Sequence, residues 1–400
     1  MVVGLGPAGT ALVRAAAVGG VLDDWLESGA LFVDAEGVGD LGAGSLSHYE
    51  IRSDTAGTVF TECTTPVLAG RVGGAAARAI EACHQPGPVP LKTAARLLTL
   101  AAEVTLARLH TQEPPAVVQA RVDEIRRVDG GFQVRLTSRE GGRSVLAKKV
   151  VLANGGSPWI DPQVVTTRMP LVHSDEVMRR LPVHHRRQLR LGSPRVVVVG
   201  GSHSAFGAAK LLLALDHEKR WPKASLTIVH RSPIKVTYDD PTAARRDGCC
   251  FDDDDVCPRT GKVFRFGGLR GDAADLYRRI RDGREPRVAL VRCGIGGRAV
   301  AGRLGPADLV VAATGYRSAA APLLKVAPQR VTSGRDATVL IDGAPVPGLY
   351  AIGLGAGRRR DSRSGGEPSY QGTIDGVWFY ENVVGPALLE RLFVRPSVSG

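Results

Sequence analysis

Three glycines at the head of the chain have the type and spacing to hold a diphosphate. In "VGLGPAGTALV", Gly4, Gly6 and Gly9 form G-x-G-x-x-G between an apolar run and a helical pattern. The first glycine allows a tight strand-to-helix turn, the second lets backbone approach a pyrophosphate, and the third lets helix pack on strand. The helix start, including Pro7 and Ala8, then offers free N–H groups and partial positive charge to the phosphates. Glycine is abundant here, 49 of 400 residues, so context must decide. The context repeats. In "RVVVVGGSHSAF", Gly200, Ser202 and Ala205 fall at the same offsets, with Gly201 inside the turn. The strand that follows each turn adds a charge. "ALFVD" ends on Asp34, whose carboxylate accepts ribose hydroxyls and repels a 2′-phosphate. "SLTIVHR" ends on Arg231, whose guanidinium matches a 2′-phosphate in charge and fork geometry. The first site therefore suits FAD or NAD, and the second suits NADPH.

Elements of the right kind surround both turns. The runs of valine before Gly200 read as buried parallel strands. "LKTAARLLTLAAEVTLARLH" has helical periodicity, and the alternating segments 116–128, 131–138 and 143–156 read as a strand meander. "VVLANGG" ends a strand on Ala153, Asn154 and Gly155, and "LVVAATGY" repeats that pattern on Thr314, Gly315 and Tyr316. "VPGLYAIGLGAG" supplies a strand ending at Gly353, and a helix is expected to begin near Thr373. The fold expected is α/β, with two Rossmann-like dinucleotide-binding domains, the NADPH domain inserted in the FAD domain. Its division is 1–165 (FAD, first part), 166–317 (NADPH) and 318–400 (FAD, C-terminal part). Expected FAD-side residues are Gly4, Gly6, Pro7, Ala8, Gly9, Asp34, Val122, Ala153, Asn154, Gly155, Gly353 and Thr373. Expected NADPH-side residues are Gly200, Gly201, Ser202, Ala205, Arg231, Thr314, Gly315 and Tyr316.

Composition narrows the function classes. A chain of 400 residues, 44% of them hydrophobic, is long enough for two cores. No uninterrupted apolar run approaches ~18 residues, and the first residues lack the basic start of a signal peptide. A cytoplasmic protein that binds no membrane is expected. The net charge of +12 comes from scattered arginines without a nucleic-acid-reading motif, and suits a polyanionic cofactor or an acidic partner. Six cysteines are too few for a disulfide scaffold. Cys249, Cys250 and Cys257 sit in an aspartate-rich insertion, residues 247–280. Zinc binding, a redox dithiol at Cys249 and Cys250, and a solvated loop at the substrate entrance are all open for it. The last is preferred, and no metal is expected. The Gly357–Gly372 segment reads as a mobile loop, whose Arg358–Arg360 run could attract an anionic or carrier-tethered substrate.

Four segments carry a family resemblance across most of the chain: "VGLGPAG", "VHSDEV", "VVVVGGSHSA" and "DLVVAATGY". Together they resemble the class B flavin-dependent monooxygenases with two dinucleotide-binding domains, the N-hydroxylating ones in particular. The resemblance implies FAD, NADPH, molecular oxygen and a small-molecule substrate, and oxygen transfer through a flavin hydroperoxide. N-hydroxylation of a small amine or amino acid is the reaction it points to. The alternatives are an NADPH-dependent flavin reductase or disulfide-type oxidoreductase without oxygen insertion, and a non-catalytic flavin-binding redox sensor. The chain also departs from the family. F-x-G-x-x-x-H is missing ahead of His173, and "LSHYEIRSDTAGTVFTEC" stands where a segment rich in Met, Gln and Phe is usual. Ornithine or lysine is therefore not carried over as substrate. His48 and His173 are the histidines nearest the expected flavin-facing segments and the only catalytic candidates. Tyr316 and Arg317 are expected near NADPH. A homo-oligomer is expected, and the short first strand suggests a start at, or a few residues inside, the true N-terminus.

Overall fold

The computed structural model describes residues 1–35, 41–69, 73–110, 116–165, 169–190, 193–293, 307–327, 330–334, 336–354, 356, 358–359 and 364–393. Two sheets organise them. In the first, the short strand Val2–Val3 lies at the centre, parallel to Phe32–Asp34 on one side and Val150–Leu152 on the other. Val117–Gln119 extends the sheet beyond Phe32–Asp34, and Ala344–Ala351 extends it beyond Val150–Leu152, both in parallel. Thr338–Ile341 and Val331–Ser333 complete that edge as an antiparallel pair. Strands buried on both faces need apolar side chains throughout, which Val2, Val3, Phe32, Val150 and Val151 supply. The helix Pro7–Val18 starts with proline, whose fixed φ suits the first helical position. It packs through Ala8, Ala11, Leu12 and Ala15.

The second sheet is wholly parallel, in the order Leu171–His173, Leu309–Ala312, Val196–Val199, Leu226–His230, Val288–Arg292. Its strands come from chain lying between the two halves of the first sheet. The chain leaves the first sheet through Gly156–Pro158 and returns through Tyr316–Ser318, and these two crossings pair as an antiparallel ribbon. The α/β layout with two Rossmann-like units is thus the observed one. The meander is also present, as Arg121–Val128, Gly131–Ser138 and Gly141–Ala147, and the helical pattern forms Leu91–His110. Among the described residues no helix is long and apolar enough to cross a membrane.

One expectation needs correction. Thr373–Ile374 is a short strand paired with Arg358–Arg359, and the helix begins only at Val377. Gly376, at φ 151°, makes the turn between them in a conformation other residues avoid. The helix then widens into a π-turn, Tyr380–Val384, and continues as Gly385–Phe393. That π-turn carries Glu381, which binds the fully buried Arg14 at 2.9 Å. The aspartate-rich insertion is divided: Asp252, Asp253 and Asp254 are exposed, as expected of a solvated loop, while the part from Asp255 onward is packed. Asp255 binds Lys235 at 3.1 Å and Ser369 at 2.6 Å, and Cys257, Val263 and Phe264 are buried. Within the Gly357–Gly372 segment, residues 364–372 meet the insertion through Glu367 as well as Ser369. The buried Glu367 accepts the backbone N–H groups of Phe266 and Gly267. The side chains of Arg358 and Arg359, and Arg360 itself, lie outside the described residues.

Candidate functional site

A cavity of about 1270 Å³ opens between the two sheets. One stretch of its wall is the set of strand ends and turns named from sequence: Gly4, Gly6, Pro7, Ala8, Asp34, Ala153, Asn154, Gly155 and Gly353. The glycines there do distinct work. Gly4 has φ 95°, and a Cβ on it would stand 2.6 Å from the Ala153 carbonyl oxygen. A Cβ on Gly9 would meet the Gly4 oxygen at 2.0 Å, so helix and strand touch only because it is absent. Gly6 has ordinary φ, and a Cβ there would meet nothing nearer than Gly44 Cα at 3.8 Å. Its bare face fronts the cavity. Asp34 is oriented by the Leu5 N–H, which it accepts at 2.7 Å. This wall fits a dinucleotide with a free ribose diol. Two residues assigned to it stand elsewhere. Val122 packs in the core beneath the meander, and Thr373 is exposed on its short strand; neither lines the cavity.

The second turn repeats the close approach of the first. Gly200, at φ 145°, would place a Cβ 2.4 Å from the Ala313 oxygen, as Gly4 would against Ala153. Gly201 lies against His230 and Ile234. Ser202 is the N-cap of the helix His203–Leu213, and Ala205 is fully buried beneath it. Arg231 is exposed just past its strand, and Arg292 from the neighbouring strand end donates to its carbonyl at 3.4 Å. The turn itself does not line the cavity. The helix that follows does, through His203, Ser204, Gly207 and Lys210. Thr314 ties the two crossings, donating to the Trp159 carbonyl at 2.6 Å, and Arg317 stacks over the Trp159 ring.

Tyr316 does line the cavity, within a network that sequence reasoning missed. Tyr49 and Tyr316 both donate to Asp175 Oδ1, at 2.5 and 3.0 Å, while Arg179 holds Oδ2 at 2.8 Å. Burial, reinforced for each by Asp175, raises both phenols above their ordinary value. The network joins the segment that follows the strand Phe32–Asp34 to the edge of the second sheet and the returning crossing. His173 supports it from behind. It is buried, accepts the Asp175 N–H at Nδ1, and so donates from Nε2 to the Gly315 carbonyl. Its ring packs edge-on against Tyr316. His173 is a capping residue off the cavity, whereas His48 lines it. On the opposite flank stands Asp375, whose carboxyl burial pushes up to about 6 and which Tyr380 contacts at 3.1 Å.

The insertion's cysteines are placed apart from this chemistry. All six thiols are free, and Cys249 and Cys250 do not line the cavity. The described residues bring no three His, Cys, Asp or Glu side chains together as a metal site. Burial pushes the Cys257 thiol up, but hydrogen bonds from Thr260, Arg265 and the Gly366 N–H outweigh it and leave it at about 7.

Comparison with known proteins identifies the family. Residues 116–245 match the family model described as L-lysine 6-monooxygenase/L-ornithine 5-monooxygenase. A CMP-5′-(3-aminopropyl)phosphonate hydroxylase of Streptomyces rubellomurinus is 33% identical over 99% of this chain and 97% of its own length. An ornithine N-hydroxylase of Kutzneria sp. 744, solved with reduced FAD, NADP⁺ and L-ornithine, superposes with TM-score 0.56. It is 18% identical, with 97% of each chain covered. An FAD-bound cadaverine monooxygenase of Erwinia amylovora gives TM-score 0.58 at 16% identity, over 98% of this chain and 94% of that one. The relative that is 33% identical over 99% of this chain decides the assignment: the chain belongs to the class B flavin-dependent N-hydroxylating monooxygenases, oxidoreductases that use FAD and NADPH.

Proposed function

We propose that this enzyme N-hydroxylates a primary amine carried on an anionic handle, a phosphonate or its nucleotide ester. The observation that carries the reading is the 33% identity to the aminopropylphosphonate hydroxylase over 99% of this chain and 97% of that enzyme. FAD would lie along Gly4, Gly6, Pro7 and Ala8, its ribose at Asp34, with Ala153–Gly155 and Gly353 against the rest. NADPH would lie at Gly200–Ser202, its 2′-phosphate at Arg231. The division 1–165, 166–317 and 318–400 belongs to the same reading, and the pairing of 156–158 with 316–318 supports it.

When bound and reduced, the flavin supplies the activation of oxygen, and the chain supplies position and dryness. The reacting amine must be neutral, and its removal from water beside the flavin favours the uncharged form by desolvation. No general acid or base of the chain is required. Purified enzyme loaded with FAD tests the reading: NADPH oxidation is followed with 3-aminopropylphosphonate, its cytidylyl ester, ornithine, lysine and cadaverine. Hydroxylamine formed from a phosphonate amine in preference to the others is the expected result. Preferential hydroxylation of ornithine or lysine overturns it.

A further inference from the structure

We infer that Arg52, Lys210 and Arg270 form the subsite that binds the phosphonate or phosphate of the substrate. This inference deepens the reading above and rests on it for the identity of the substrate. All three line the cavity, on a different stretch of wall from the strand ends around Gly4. They come from three elements: the strand Arg52–Ala56, the helix His203–Leu213, and the residue capping the helix Gly271–Arg281.

The charges do not balance. Arg270 binds Asp54 at 2.7 Å and Lys210 binds Asp272 at 2.5 Å, while Arg52 reaches Asp272 only at 3.9 Å and otherwise donates to the Pro88 carbonyl. Three cations therefore share two carboxylates. His203 adds no charge. Its Nε2 accepts the Arg270 backbone N–H at 3.0 Å, so that nitrogen carries no proton, and burial lowers its affinity for one. Donors also remain unused: Arg270 Nε is buried without an acceptor. The N-terminus of the 11-residue helix Gly271–Arg281 opens on the same stretch through Asp272 and Ala273.

Donors converging from three elements suit a tetrahedral group with three oxygens better than a flat carboxylate with two. Asp54 and Asp272 hold the cations in place when the subsite is empty, which keeps the three side chains from folding back on other partners. Nothing in local sequence announces this cluster, because its members are up to 218 residues apart.

The test is equilibrium binding to FAD-loaded, full-length enzyme by titration calorimetry. The probes are 3-aminopropylphosphonate, its cytidylyl ester, 4-aminobutyrate and propylamine. Wild type is expected to bind the phosphonates roughly tenfold or more tightly than the carboxylate, the scale of one charge-assisted hydrogen bond. Arg52→Gln and Lys210→Met should each lose roughly tenfold for phosphonates and leave propylamine unchanged, while Lys210→Arg restores binding. Tighter binding of the ester than of the free phosphonate identifies the source as a nucleotide; the reverse identifies a free phosphonate. Equal binding of phosphonate and carboxylate, or phosphonate binding that ignores both substitutions, overturns the inference. Phosphonate binding that depends on these residues without hydroxylamine on adding NADPH leaves the subsite standing and defeats the proposed function. Hydroxylamine formed with no effect of the substitutions does the reverse.

Discussion

Replacing Gly6 and Gly9 separately by alanine should split two roles that one motif combines. At Gly9 a Cβ would stand 2.0 Å from the Gly4 oxygen and 3.0 Å from the Gly4 carbonyl carbon, both backbone atoms at the centre of the first sheet. No rotamer change relieves that contact, so helix must move off strand; the cost is about 3 kcal/mol or more, at the upper end for overpacking. At Gly6 the same methyl has 3.8 Å of clearance and the backbone is at φ −68°, which any residue adopts. Stability of the FAD-free protein should then change by less than about 0.5 kcal/mol. The methyl does occupy the face that fronts the cavity. It would push a diphosphate out of reach of the helix N–H groups and weaken FAD by about 1.5–3 kcal/mol, the loss of one such hydrogen bond. Thermal melts of FAD-free protein and quenching of FAD fluorescence on titration measure the two quantities. The expected result for Gly6→Ala is a wild-type melt with FAD affinity lowered at least roughly tenfold. Gly9→Ala should melt well below wild type or fail to fold. A Gly6→Ala protein that binds FAD as wild type does would refute the placement of the pyrophosphate.

Other consequences follow from the same structure. Arg231→Ala should shift preference from NADPH towards NADH by about 1–3 kcal/mol, read from the ratio of their kcat/KM values; an unchanged ratio removes the 2′-phosphate assignment. Glu381→Ala leaves the fully buried Arg14 without its partner and should cost about 3–5 kcal/mol by denaturant melt, with Arg14→Leu/Glu381→Leu recovering most of it. Asp375 has a direction in pH. Its folded value of about 6 lies above the ordinary 3.8, so between the two the native state keeps a proton that the unfolded chain has lost. Stability of FAD-free protein should fall as pH rises through that window, by at most about 3 kcal/mol. Asp375→Asn should remove the fall and be the more stable form at pH 8, the two melting alike near pH 4. A pH-independent difference would show that Asp375 is not held protonated by burial.

The parts of this protein legible in sequence are those written in consecutive residues. A valine run, a glycine turn and a small-residue helix start are adjacent in the chain, which is why Gly4, Gly6, Gly9, Gly200 and Asp34 could be assigned roles. The small residues ending "VVLANGG" and "VVAATGY" were legible for the same reason, and each supplies the alanine against which a turn glycine packs. Long-range partners decided the rest. The pattern "GTIDGVWFYENVV" is helical on its own, but Ile374 finds a strand partner in Arg358, and that moves the helix start to Val377. Of the run of four aspartates, Asp252–Asp254 are exposed as their charge suggests, and only Asp255 is drawn in, by Lys235 and Ser369. His173 looked chemical because histidines usually do; its two ring nitrogens are both spent on backbone groups. The Tyr49–Asp175–Tyr316 network and the Arg52–Lys210–Arg270 cluster exist only where the two sheets face each other.

As proposed, NADPH and FAD held on the two glycine turns reduce dioxygen, and one of its atoms ends on the amine. The most direct measurement is mass analysis of the product formed from a phosphonate amine by FAD-loaded enzyme and NADPH under isotopically heavy dioxygen. A hydroxylamine carrying one heavy oxygen atom is the predicted result. Consumption of NADPH with every supplied amine recovered unoxidised would contradict it.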